Sequence, residues 1–139
     1  VILLDTNVLS ALMTGRPEPA LLAWLDRQPE REIWTTSVSV FELRFGVARL
    51  PDGRRRRGLE TRLDAMLREE LAGRVAAFDP AAADAAGRLA ARREGGGRPM
   101  GVPDTMIAGI ALSRGAVLAT RNTRHFHDLD TGVVDPWAA

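Results

Sequence analysis

The chain of 139 residues contains no cysteine, which excludes disulfides, thiolate zinc sites and cysteine nucleophiles. It contains no tyrosine, and all 19 of its basic residues are arginine. Without lysine there is no Walker A phosphate grip, no Schiff base and no lysine-assisted phospho-aspartate switch. The only histidines are His125 and His127, which leaves little for imidazole catalysis. No apolar run approaches the ~18 residues of a membrane span, and no basic-then-apolar leader is expected. A soluble, cytoplasmic protein without a membrane partner is expected. Any catalysis must draw on carboxylates, hydroxyls, Asn, Arg or a bound metal.

What is present is of ordinary proportion: 45% hydrophobic and 27% charged residues, as in globular domains. The length favours a single domain over residues 1–139. A net charge of +1 gives no global attraction to nucleic acid, so electrostatic arguments must be local. The one dense cluster is Arg54, Arg55, Arg56 and Arg57.

The apolar run Val1 to Leu4, halted by Asp5-Thr6-Asn7, reads as a buried parallel strand with polar residues at its C-terminal end. A short helix over Val8 to Leu12 and another over about 18–28 follow. Ile33 to Thr35 reads as a second strand, with Ser37 as N-cap of a helix from Val38 to Leu50. That helix is apolar over most of its circumference and is expected to be largely buried. A helix from Arg55 to Leu71, a strand over Val75 to Phe78 and an Ala-rich helix from Asp79-Pro80 through Arg93 come next. Residues 94–99 read as a flexible loop. A helix starting at Asp104 ends where Gly115 supplies a C-cap. Val117 to Ala119 and Val133-Val134 complete the strands. Alternating strands and helices predict an α/β fold with a mostly parallel sheet of four to five strands flanked by helices, active groups lying at the strand C-terminal ends.

Three acids sit in unusual places. Asp5 ends the first strand, Glu42 lies inside an apolar helix, and Asp104 begins the late helix. Asp5 and Asp104 can equally be helix caps. Glu42 must be paired or hold a cation to sit on such a face, Arg49 and Arg121 being the candidate partners. Gly46, one turn on, leaves space beside it. Asn122, at the end of the fourth strand, would share a crevice with Asp5, with Asp104 and Glu42 entering on adjacent helices. Two carboxylates about 4 Å apart repel by roughly 4 kcal/mol at an effective dielectric of 20, and a cation turns that repulsion into ligation. An all-oxygen set suits Mg²⁺ or Mn²⁺, whose chemistry serves phosphodiester hydrolysis.

On Leu4-Asp5-Thr6-Asn7-Val8-Leu9, Val40 to Val47, Pro103-Asp104-Thr105-Met106-Ile107-Ala108 and Ala119-Thr120-Arg121-Asn122, the chain resembles the PIN-domain family, most closely its bacterial toxins of the VapC and FitB type. The resemblance implies a PIN-like fold and a Mg²⁺- or Mn²⁺-dependent endoribonuclease. It implies the toxin half of a toxin–antitoxin pair, dimeric, inhibited by a cognate antitoxin and reaching operator DNA only through it. Asp5, Glu42 and Asp104 match the family's acidic positions, with Asp5 and Asp104 the principal metal ligands. Glu42 would be a further ligand or orient the attacking water. The fourth position, often Asp, is here Asn122, which brings no charge for a second ion. Thr6, Asn7 and Thr120 would support the site, and Arg121, Thr120 and Asn7 are candidate substrate contacts.

Other features compete less well. His125 and His127 are expected to be solvated, and Asp128 and Asp130 to be exposed, Asp128 being a rival fourth carboxylate. The Arg54–Arg57 run either grips phosphate or pairs with Glu60 and Asp64 at helical spacing. Trp24, Trp34 and Trp137 read as packing residues. A haloacid-dehalogenase-type phosphatase would need an Asp where Asn7 stands, and a lysine. The alternative from another class is a non-catalytic regulatory subunit whose acidic pocket receives an Arg from a DNA-binding partner.

Overall fold

In a computed structural model, described over residues 1–97 and 100–139, the N-terminal apolar run becomes β1 (Ile2–Leu4). It pairs in parallel on both sides: Ile2 lies opposite Ile33 of β2 (Ile33–Thr36) and Val117 of β4 (Val117–Ala119). β3 (Val75–Ala76) and β5 (Val133–Val134) extend the two edges, giving the order β3-β2-β1-β4-β5 with every pairing parallel. The expected fold class holds, and the fifth strand is real.

Helices cover both faces, as side-chain alternation demands. Leu3 and Leu118 face a core built with Leu89 of α5 (Pro80–Gly95) and Ile107 and Ile110 of α6 (Val102–Arg114). Leu4 and Ala119 face the opposite core. That core contains Val8 and Leu9 of α1 (Thr6–Leu12), Leu21 and Trp24 of α2 (Pro19–Asp26), Leu43 and Val47 of α3 (Ser37–Ala48), and Leu63 of α4 (Arg54–Ala65). Helices α5 and α6 approach closely at Gly109, where a Cβ would lie 2.5 Å from the Ala82 carbonyl and 2.6 Å from the Ala86 Cβ. No helix among the described residues is long and apolar enough to cross a membrane.

Several local expectations are corrected. Thr36, not Ser37, caps α3, its Oγ1 accepting from the Ser39 N–H at 3.0 Å. Ser37 is the first helical residue, and its Oγ accepts from the Phe78 N–H at 3.0 Å. Helix α3 is not largely buried. Val38, Leu43 and Val47 meet the core, whereas Phe41 and Phe45 are 66% and 56% exposed and stack on each other at 6.3 Å. Helix α4 gives way to a π-helical turn at Met66–Glu70 rather than running regularly to Leu71. β3 stops at Ala76, and α5 runs on through Gly95. Of the expected 94–99 loop, Arg98 and Pro99 lie outside the described residues. Gly115 closes α6 in the left-handed conformation at φ 62°, as expected.

The chain fills the sheet from β1 through β2 to β3, then crosses back to β4 on the other side of β1. Connections leaving β1 and β4 therefore diverge, and a crevice opens at their C-terminal ends. Asp5 and Thr120 are the first residues beyond those two ends.

Candidate functional site

Asp5 does two things at once. Its Oδ1 accepts from the Thr6 N–H at 2.8 Å and so caps α1. Its Oδ2 accepts from the Thr120 hydroxyl at 2.7 Å and from the Asn7 amide at 3.4 Å. Asn7 Nδ2 also reaches Thr120 Oγ1 at 3.1 Å, and Asn7 Oδ1 accepts from the Arg121 N–H at 3.2 Å. The carboxylate is buried, at 4% exposure, yet held in one orientation by neighbours from both strand ends. One oxygen caps α1, and the other is held at the crevice by Thr120 and Asn7.

Burial pushes the Asp5 carboxyl above its ordinary value. The hydrogen bonds from Thr120 and Thr6 pull the other way, and the charges of Asp104 and Glu42 push it further up. Asp104 and Glu42 thus lie near enough for their charges to act on Asp5. Among the described residues, no three acidic or imidazole groups stand in ready-made cation-binding geometry.

Glu42 is half-buried, not enclosed on an apolar face. Neither expected arginine pairs with it. Arg49 lies over the Phe45 ring, and Arg121 stacks on Trp137 at 3.9 Å while bonding Glu18 at 3.2 Å. Instead Glu42 Oε1 accepts from the Thr6 hydroxyl at 2.7 Å, and Thr6 Oγ1 lies 2.9 Å from Ser39 Oγ. Thr6 thus links the two acids: its backbone N–H holds Asp5, and its hydroxyl holds Glu42. Asp104 lies in the first turn of α6 but is not its cap, which is Gly101. It is half-buried, with His125 Nδ1 3.5 Å from its Oδ2.

Asn122 donates its backbone N–H to Thr120 Oγ1 at 3.1 Å, while its side chain is exposed and makes no hydrogen bond to a described residue. Thr120, a candidate substrate contact, is fully buried and committed to Asp5, so it positions that carboxylate instead. Asp128 is no reserve ligand. Its two oxygens take two N–H groups of Arg93, a side chain only 9% exposed. His125 is exposed, as expected, and beside Asp104 lines a cleft of about 250 Å³ that also carries Arg124 and His127. In the arginine run, Arg56 pairs with Glu60, whereas Asp64 is taken by Arg44 of α3. Trp24 is core, and Trp137 packs under Arg121.

Sequence reasoning missed Ser39 and Arg93. Ser39 falls one turn before Glu42 on α3 and could have been found by that spacing. Nothing local marks Arg93 as the partner of a residue 35 positions on.

The family model described as PIN domain matches residues 2–132. Over 137 residues the chain is 38% identical to the VapC ribonuclease Y4jK of Sinorhizobium fredii, covering 99% of this chain and 98% of that one. It is 33% identical over 137 residues to Toxin FitB of Neisseria gonorrhoeae, covering 99% of each. Among solved structures, FitAB bound to an IR36 DNA fragment superimposes with a TM-score of 0.88 at 31% identity, covering 99% of this chain and 96% of that one.

Proposed function

The chain belongs to the PIN-domain family, and from that premise we propose that it is a metal-dependent endoribonuclease acting as the toxin of a toxin–antitoxin pair. The observation that carries the reading is the Asp5 carboxyl, held by three donors and pushed upward by burial and by the charges of Asp104 and Glu42. Such uncompensated charge on hard oxygen donors fits Mg²⁺ or Mn²⁺. Asp5, Asp104 and Glu42 would hold the ion. Bound there, it would polarise the phosphoryl group and make water a better nucleophile.

The chain's own residues do the rest. Thr120, Asn7 and the Thr6 N–H fix the direction of Asp5, and the Thr6 hydroxyl fixes Glu42 beside it. Asn122 offers a neutral amide at the crevice mouth. Arg121 is a substrate contact only if it leaves Glu18 and Trp137. The relatives' names support RNA cleavage and toxin action, and a complex bearing DNA supports a partner that carries operator DNA. The proposal includes a cognate antitoxin as inhibitor, a homodimer, a cytoplasmic site of action and one domain spanning residues 1–139.

Defined RNAs incubated with the partner-free chain and Mg²⁺ or Mn²⁺ test it. Cleavage is expected from the wild type and not from Asp5→Asn or Asp104→Asn, whose circular dichroism should be unchanged. Cleavage that persists in the Asp5→Asn/Asp104→Asn double variant in EDTA would overturn the reading. A chain that binds its partner but cuts no RNA would be the regulatory subunit instead.

A further inference from the structure

An acidic centre repels the polyanion it must cut, so some cationic group has to meet the RNA strand beside the scissile phosphate. Arg121 is poorly placed, being engaged with Glu18 and Trp137. The arginine run at the start of α4 offers four candidates, and helical spacing separates them. Residues 55, 59 and 62 share one face at i, i+4 and i+7. Arg55, Leu59 and Arg62 all line a cleft of about 460 Å³ whose other residues include Thr6, Glu42 and Gly46. Arg54, Arg56 and Arg57 do not line it. Arg62 is tied to the Met13 carbonyl at 3.0 Å, whereas the Arg55 side chain is exposed and makes no hydrogen bond or ion pair with a described residue.

We propose that Arg55 is a substrate-contacting residue. Its guanidinium binds an RNA phosphate next to the one at the acidic centre, in the cleft it shares with Glu42. Resting on the nuclease reading, this gives that site a strand direction: from Asp5 and Glu42 towards the first turn of α4. Arg62, braced on Met13, forms the cleft's fixed wall. Gly46 keeps the cleft open, for a Cβ there would have nothing within 4 Å, and a long side chain would project into space the strand needs.

The test uses the full chain carrying Asp5→Asn, which binds without cutting, and a mixed-sequence single-stranded RNA dodecamer as probe. Adding Arg55→Ala should weaken binding about fivefold and lower the slope of log K against log salt by about 0.7, the share of one phosphate on a single strand. Adding Gly46→Leu should weaken binding by blocking the same cleft, and Arg57→Ala should leave it unchanged. In the otherwise wild-type chain, Arg55→Ala should raise KM more than it lowers kcat. An unchanged salt slope with Arg55→Ala, or an equal loss with Arg57→Ala, would overturn the proposal while leaving the nuclease reading intact. So would an Arg55→Ala variant that loses only affinity for its protein partner. If the wild type neither binds nor cuts RNA, both fall together.

Discussion

The Thr120 hydroxyl donates a 2.7 Å hydrogen bond to Asp5 Oδ2, joining positions 115 residues apart in the chain. It also accepts from Asn7 and from the Asn122 N–H, so one buried oxygen knots two strand ends together. Thr120→Val keeps the side-chain shape and removes the knot. Stability should fall by about 1–3 kcal/mol, as for a buried group left without its partner. The Asp5 carboxyl should also titrate higher than in the wild type, since the strongest influence lowering it is gone. Urea denaturation and carboxyl-carbon NMR check both, and an unmoved titration would show that the bond does not set the state of Asp5.

Two aspartates should give the metal-free protein opposite pH responses. Folding raises the Asp5 carboxyl above 3.8 and so favours its protonated form. That contribution is fully present below 3.8 and is lost as pH rises through the raised value. Asp5→Asn mimics the neutral acid and should be the more stable protein near neutral pH without metal. Burial alone would raise Asp128 too, but Arg93 holds it below 3.8. Its stabilisation is present above 3.8 and disappears as pH falls through the lowered value. Asp128→Asn should therefore cost about 1–2 kcal/mol near neutrality, a figure reduced because the carboxylate is partly in water, and much less in strong acid. Denaturation curves across pH that run parallel for all three proteins would refute both assignments.

Mn²⁺ should raise the melting temperature of the wild type, EDTA should reverse the gain, and Asp5→Asn should show neither effect. Asn122→Asp adds the charge that this chain lacks at the crevice mouth. Calorimetric titration should then find tighter occupancy of a second ion position in the variant. In the absence of metal, a carboxylate of the variant should titrate higher still. Two tightly held ions in the RNA-free wild type would place the missing ligand elsewhere.

Gly109 and Gly46 should respond oppositely to the same change. An added methyl at Gly109 meets the Ala82 backbone and the Ala86 Cβ, neither of which can swing aside, so Gly109→Ala should destabilise by about 1–3 kcal/mol. Gly46 sits in α3 with open space around it, and Gly46→Ala should gain up to about 1 kcal/mol from helix propensity. Chemical denaturation of the two variants decides.

Much of this was legible in the chain because it is local. The short apolar run Val1 to Leu4 reads as an interior strand, which the structure forms over Ile2–Leu4, and the polar triplet that stops it marks the end at which the crevice opens. Gly115 announces the end of α6 by itself. What stayed hidden depends on contacts between distant segments. Thr36 and Ser37 are both good caps, and only the backbone bend at Thr36 decides between them. A helical wheel cannot know that no element among the described residues covers Phe41 and Phe45. Asp128 looks like any loop acid until Arg93 of α5 is brought to it. Glu42 looked as if it needed an arginine because its helix face looked enclosed. It is half open and is satisfied by a threonine one residue after Asp5.

The position of β4 beside β1 has a kinetic consequence. The Asp5 N–H bonds the Ala119 carbonyl at 2.9 Å, and nearly the whole chain intervenes between the two. Closing so large a loop carries an entropic cost that local contacts cannot recover early, which makes this pairing a late event in folding. A ribosome that has not yet released β4 therefore holds a polypeptide with Asp5 but without Thr120 to aim it. Synthesis itself delays the fixing of Asp5 until β4 and Thr120 have emerged, and a polypeptide that stops before Thr120 lacks the hydroxyl that orients this carboxylate.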